Sequence, residues 1–188
     1  MNVNSWLVGI VLVWLGIVSW FDLRTKEIPH SAWVLLPLIG AATYRLILGN
    51  WQLVLLAVVV ILASERARIA QWSQIKTMAV VFSWIPAIGF LIYLAALQNP
   101  LGAIAVVAFW AAWELHAWGG ADAVASIALI LLWPDLLLVL SLLIVHFAAA
   151  LVVTGISLVK ERKFRLHQLP GLPLLFTAVA LRIFLSLG

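Results

Sequence analysis

The sequence contains no cysteine. That excludes disulfide bonds, thiolate metal sites and a cysteine nucleophile. Charge is nearly as scarce: 10% of the 188 residues are charged, where a soluble domain carries roughly 25%. Hydrophobic residues make up 66% of the chain and its mean hydropathy is +1.19. So few charges cannot clothe a chain of this size in water, and the expected solvent is lipid. A bilayer-spanning helix needs about 20 mostly apolar residues, which leaves room for about six to eight spans and no sizeable soluble domain. The fold expected is therefore all-α, a polytopic transmembrane helix bundle of about eight helices (six to eight), forming a single domain over 1–188. The first apolar run has no basic segment before it and no small-residue cleavage site after it, so it reads as a retained helix and not a removed signal. The net charge of +4 does not imply a nucleic-acid partner, because the basic residues fall in short connections, where they act as orientation signals.

Eight apolar runs can be marked, at 5–21, 31–49, 51–64, 77–97, 101–117, 121–133, 136–158 and 171–187. The third and sixth are short for full spans. Pro100, Pro134 and Pro170 stand at or just before run starts, where a missing N–H costs least. Pro37 and Pro86 fall inside runs and are expected to kink them. The connections at 22–30, 64–76 and 159–170 hold most of the Lys and Arg, whereas those near Asn50, Asn99 and Pro134 hold none. With eight spans the basic connections share one side. The positive-inside rule makes that side cytoplasmic and puts both termini outside. Arg45 is the nearest exception and is expected to snorkel outward. Trp6, Trp51, Trp118 and Trp133 lie near run ends, as interfacial anchors do.

Two acids stand apart from the rest. Asp22 follows an uninterrupted apolar run, and Asp122 opens the sixth run just after Gly119-Gly120-Ala121. The expected topology brings both to the cytoplasmic face although 100 positions separate them. Ionisable groups at membrane depth are costly and usually face a bundle interior or a wet cavity. Two carboxyls held about 3 Å apart share one proton, so one activates water while the other protonates a carbonyl. On spacing alone the alternative stays open that each caps a helix or pairs with a loop base, with Arg24 the nearest base to Asp22. Glu65, Glu161 and Glu27 read as solvated loop groups, and Asp135 after Pro134 as a helix N-cap. Glu114 is expected to pair with His116 or Lys76, or to tune a pocket. His30, His116, His146 and His167 do not form a pattern that calls for a metal, which would need converging ligands with a shaped second shell.

Asp22-Leu23-Arg24-Thr25-Lys26-Glu27-Ile28-Pro29-His30 resembles the segment of type IV prepilin peptidases in which an aspartate ending a helix is followed by a basic loop and Ile-Pro-Asn. Gly119-Gly120-Ala121-Asp122 resembles the G-x-G-D signature of the same family. Leu169-Pro170-Gly171-Leu172-Pro173 resembles the proline-rich start of its last helix. The matched parts cover roughly 1–50 and 110–188. The resemblance implies an intramembrane aspartyl endopeptidase of a prokaryotic cytoplasmic membrane, with Asp22 and Asp122 as the catalytic pair. Gly119, Gly120, Ala121, Pro29, His30, Pro170 and Pro173 would shape the site or bind substrate. No cofactor and no metal is implied. The partner implied is a prepilin-like membrane substrate with a basic leader and an apolar helix, cut after the leader at the cytoplasmic face. Without the cysteine-bearing methylation domain of the long relatives, the chain is expected to cleave and not to methylate.

Three departures from the family pattern stand in the sequence. His30 replaces the usual Asn, Val124 replaces a Lys common two residues after the second aspartate, and four runs separate the aspartates where two are usual. An extra helical hairpin at about 66–100 accounts for the last, and an even number of added spans keeps Asp122 on the same side. Two other readings remain at this point: a catalytically inactive relative acting as an assembly factor, and a small proton- or cation-coupled transporter, since intramembrane acids also line ion paths.

Overall fold

The computed structural model describes residues 5–25, 31–65, 77–115, 118–161 and 171–187. Among them the secondary structure is helical throughout: α1 (Ser5–Thr25), α2 (Leu36–Ile47), α3 (Trp51–Ser64), α4 (Thr77–Gln98), α5 (Pro100–Glu114), α6 (Gly120–Leu132), α7 (Leu136–Glu161) and α8 (Gly171–Leu187). Each occupies one of the eight apolar runs. The short third and sixth runs become the short helices α3 and α6, of 14 and 13 residues.

Local chemistry sets the boundaries. Pro37 does not kink a helix interior. It stands in the first turn of α2, and a π-helical turn, Ser31–Leu35, precedes it. The wider turn absorbs the missing N–H at the junction. Helix α2 ends on Gly49, at φ 79°, where the Gly49 N–H meets the Leu46 carbonyl at 2.9 Å and the Asn50 N–H meets that of Arg45 at 3.2 Å. This is the double-bonded C-terminal cap that a residue without Cβ permits. Helix α5 starts with Pro100 in its first turn and with Asn99 as N-cap, whose side-chain oxygen accepts from the Gly102 N–H at 2.8 Å. Pro86 stays inside α4, which continues past it. Asp135 stands immediately before α7, where an N-cap belongs.

The chain divides into two compact units. The first comprises 1–33 and 136–188 and contains α1, α7 and α8, with α8 packed against both others. Its core is a ladder of residues one helical turn apart: Leu7, Val11, Leu15 and Val18 from α1, Leu138 and Leu142 from α7, and Leu172, Leu175 and Val179 from α8. Trp33 closes it, its carbonyl accepting from the Trp14 indole at 2.7 Å and its ring tilted against Phe21 at 5.8 Å.

The second unit comprises 34–135 and contains α2 to α6. Its axis is α6, packed against α2, α3 and α5. Every residue from Ala123 to Leu132 is buried and all but Ser126 are apolar, as a central helix must be. Trp133, expected as an interfacial anchor, is instead 3% exposed. It follows α6 into the core, and Pro134 beside it lies against Gly102, where an added Cβ would come within 3.1 Å of the proline Cβ. Trp6 and Trp51 are exposed.

Arg45 also departs from expectation. It does not snorkel outward but is 4% exposed. Its Nε donates to the Leu131 carbonyl at 2.5 Å and an Nη to that of Leu132 at 3.0 Å. The last carbonyls of a helix lack intrahelical donors. In an apolar surrounding Arg45 meets that need, with its positive charge at the negative end of the α6 dipole.

Of the hairpin expected at 66–100, α4 is the described part, and it joins the second unit by packing on α3 and α5. Residues 66–76 lie outside the described residues. Two helical stretches, Trp6–Arg24 and Leu136–Val153, are long and apolar enough to cross a membrane, and only 22% and 17% of them is buried. Low burial separates them from the core helices of a water-soluble protein.

Candidate functional site

Asp22 lies in the last turn of α1, in the first unit, and is half-buried. Among the described residues it has no hydrogen-bonded or ionic partner. Arg24, its nearest base in sequence, places its guanidinium 4.6 Å over the Trp20 ring instead, a cation–π contact that holds the arginine along its own helix. Lys26, Glu27, Pro29 and His30 lie outside the described residues.

Asp122 lies in the first turn of α6, in the second unit, and is half-buried. Gly119 is the N-cap of this helix, in extended conformation at φ −68° and ψ 152°, which makes Asp122 the third residue after the cap. The side chain folds back over the cap: a Cβ built on Gly119 would stand 3.2 Å from Asp122 Oδ2. An acid here also complements the helix dipole. The Ser126 hydroxyl donates to the Asp122 main-chain carbonyl at 2.8 Å and closes the first turn.

The two glycines of Gly119-Gly120-Ala121-Asp122 thus have different neighbours. Gly119 leaves room for the carboxylate. Gly120 leaves room for the Trp113 indole, whose Cζ2, Cε2 and Nε1 would lie 3.0, 3.1 and 3.2 Å from an added Cβ. Such distances are too short for any side chain to be accommodated without moving the tryptophan. Ala121 is half-buried beside them. The connection is tied back onto α5 by the Trp118 N–H, which donates to the Ala112 carbonyl at 3.2 Å, and by the stacking of Trp118 on Phe109, with centroids 5.0 Å apart and planes 20° apart. Trp118 is therefore a packing residue of the turn.

Glu114 ends α5 and accepts from the Ser64 hydroxyl at 2.8 Å. His116 and Lys76, its expected partners, lie outside the described residues. Val124 is 1% exposed within the α6 core and contributes packing alone. In α8, Gly171 is buried and Pro173 half-buried in the first turn. Pro170 and His167 lie outside the described residues. His146 sits within α7, where Nδ1 and the Leu142 carbonyl are 2.7 Å apart. Among the described residues no three His, Asp or Glu side chains converge as metal ligands.

Neither Ser64, which bonds Glu114, nor Arg182, which is 4% exposed within α8, stands out in the sequence. The available signals were weak: a hydroxyl closing an apolar run just before an acid, and a basic residue inside an apolar helix. No family model, curated protein or solved structure matches this chain.

Proposed function

We propose that the chain is a polytopic membrane protein and an intramembrane aspartyl endopeptidase that cuts the leader from type IV prepilin-like proteins at the cytoplasmic membrane face. The observation that carries this reading is the placement of two acids at helix ends: Asp22 closes α1 and Asp122 opens α6, with four helices, α2 to α5, between them. If each of the four crosses the membrane, their even number returns the chain to the face it left. The resemblance of Asp22–His30, Gly119–Asp122 and Leu169–Pro173 to the prepilin peptidase motifs adds the chemistry. The largely exposed apolar stretches Trp6–Arg24 and Leu136–Val153 support lipid as the solvent.

Aspartyl peptidase chemistry uses two carboxyls that share one proton, and in this reading Asp22 and Asp122 are that pair. The ionised member draws a proton from water, and the protonated one donates to the scissile carbonyl. The substrate brings an apolar helix that lies in the bilayer and a basic leader at its cytoplasmic end. Gly119 and Gly120, without side chains, admit its backbone near Asp122.

The test is cleavage of a prepilin-type peptide by the chain reconstituted in lipid. D22N and D122N should each abolish cleavage while leaving the protein in the membrane fraction. Normal processing by both variants ends the peptidase reading. An inactive assembly factor is the second reading, favoured by the burial of Val124 where the family commonly carries Lys. That reading predicts full assembly function with either aspartate replaced. Proton flux without cleavage would favour transport.

A further inference from the structure

We infer that Ser64 and Glu114 form a clasp that positions the Asp122 turn, with Glu114 acting as a positioning residue through Trp113 and not on substrate. The catalytic consequence rests on the peptidase reading, whereas the clasp itself does not.

All the groups involved belong to the second unit. The Ser64 hydroxyl, at the end of α3, reaches across 50 positions of sequence to Glu114 Oε1 at 2.8 Å. A hydroxyl donating to a carboxylate is a charge-assisted bond, stronger than its neutral equivalent. Glu114 is the last residue of α5, so this bond fixes the final turn of that helix to a third element. The preceding residue, Trp113, lies against Gly120 with no room for a methyl group between them. Gly120 is the first residue of α6, and Asp122 follows two positions later with its carboxylate folded over Gly119. Each step is a close contact, so a shift of the α5 end is passed to the Asp122 carboxylate. The main-chain tie from Trp118 to Ala112 and the stack of Trp118 on Phe109 also join the turn to α5, whereas the Ser64–Glu114 bond joins the end of α5 to α3.

The experiment compares S64A, S64T, E114A and E114Q for peptide cleavage in lipid. S64T keeps the hydroxyl and E114Q keeps an acceptor oxygen. S64A and E114A should each lower kcat about 10- to 100-fold, as small misplacements of a reacting group do, with KM nearly unchanged. The double variant should be no worse than E114A alone, because S64A removes a bond that E114A has already removed. S64T and E114Q should recover most of the rate. Wild-type kcat in S64A, or a loss confined to KM, overturns the clasp.

A second measurement does not depend on activity. The chain has no cysteine, so a single introduced thiol reports on one place. In A121C, beside Asp122, the rate of maleimide labelling should change several-fold when S64A or E114A is added and return with E114Q. In L48C, at the opposite end of the second unit, it should not change. Equal changes at both positions would mean general loosening and would refute a local positioning role. If the wild-type chain cleaves no prepilin peptide, the peptidase reading fails while the labelling comparison still decides the clasp.

Discussion

A guanidinium that is 4% exposed must recover its lost hydration from the protein. Arg45 does so with two carbonyls at the end of α6, and hydrogen bonds to a charged group are worth about 1.5–3 kcal/mol each. R45M should therefore lower stability by about 2–3 kcal/mol, since the charge leaves together with its bonds but two buried carbonyls lose their donors. R45K should recover only part, because a single ammonium lacks the planar fork that meets both oxygens. Unfolding in mixed detergent measures both. Gly102 gives a steric counterpart: an added Cβ would stand 3.0 Å from Asn99 Oδ1, 3.0 Å from Leu53 Cδ2 and 3.1 Å from Pro134 Cβ. G102A should cost about 1–3 kcal/mol by overpacking. At Gly40 nothing lies within 4 Å, and G40A should be neutral or stabilising by up to about 1 kcal/mol through helix propensity. At this scale the sequence was least informative. It shows that Arg45 interrupts an apolar run, but burial against Leu131 and Leu132 depends on which helix end lies alongside. It shows two glycines before Asp122, but not that one faces a carboxylate and the other an indole.

Elements were more legible than contacts. All eight described helices fall on apolar runs, because an α-helix satisfies its own backbone hydrogen bonds and an apolar run supplies side chains to bury. Their starts were legible wherever proline or a polar cap stands, as at Asn99-Pro100. The first turn of α2 was not, since Pro37 inside an apolar run reads as a kink and is instead the junction between a π-helical turn and α2. Trp133 departs from expectation for a related reason: position near a run end signals an interface only when that end is exposed, and α6 is buried from Ala123 to Leu132. That burial makes α6 the element most sensitive to truncation. Leu129 is 0% exposed, and L129A should cost about 2–5 kcal/mol, against about 1 kcal/mol for N99A, which removes only the cap of α5. Equal losses in the same unfolding assay would contradict the central place of α6 in its unit. Within the candidate site, the position of Asp122 in a first helical turn was legible from the glycines before it, and that of Asp22 from the apolar run it follows. The bond between Ser64 and Glu114 was not, because 50 positions, with the whole of α4 among them, separate the partners in sequence.

For the molecule as a whole, the decisive quantity is the apolar surface left uncovered. In α7, Leu136, Leu140, Leu143, Phe147 and Leu151 are 44–68% exposed and recur every three or four residues, which places them along one stripe of the helix. Leu138, Ser141 and Leu142, on another face, are buried. A soluble protein would usually present polar side chains along the first stripe, and the apolar stripe found there fits the proposal that α7 faces lipid. The two solvents make opposite predictions for a charge placed there. In lipid, an Arg at helix-centre depth costs about 2.5–3.5 kcal/mol on insertion scales, so L143R should lower the ratio of inserted to uninserted α7 about 100-fold if its insertion is near equilibrium. In water the same substitution would raise solubility and leave folding intact. L142R, on the buried face, should be damaging in either solvent and serves as the control for a folding defect. Carbonate extraction of membranes from cells expressing the two variants, compared with the parent chain, separates the cases: loss of integration in L143R supports α7 as a lipid-facing span, and a soluble, folded L143R would remove the membrane from the account altogether.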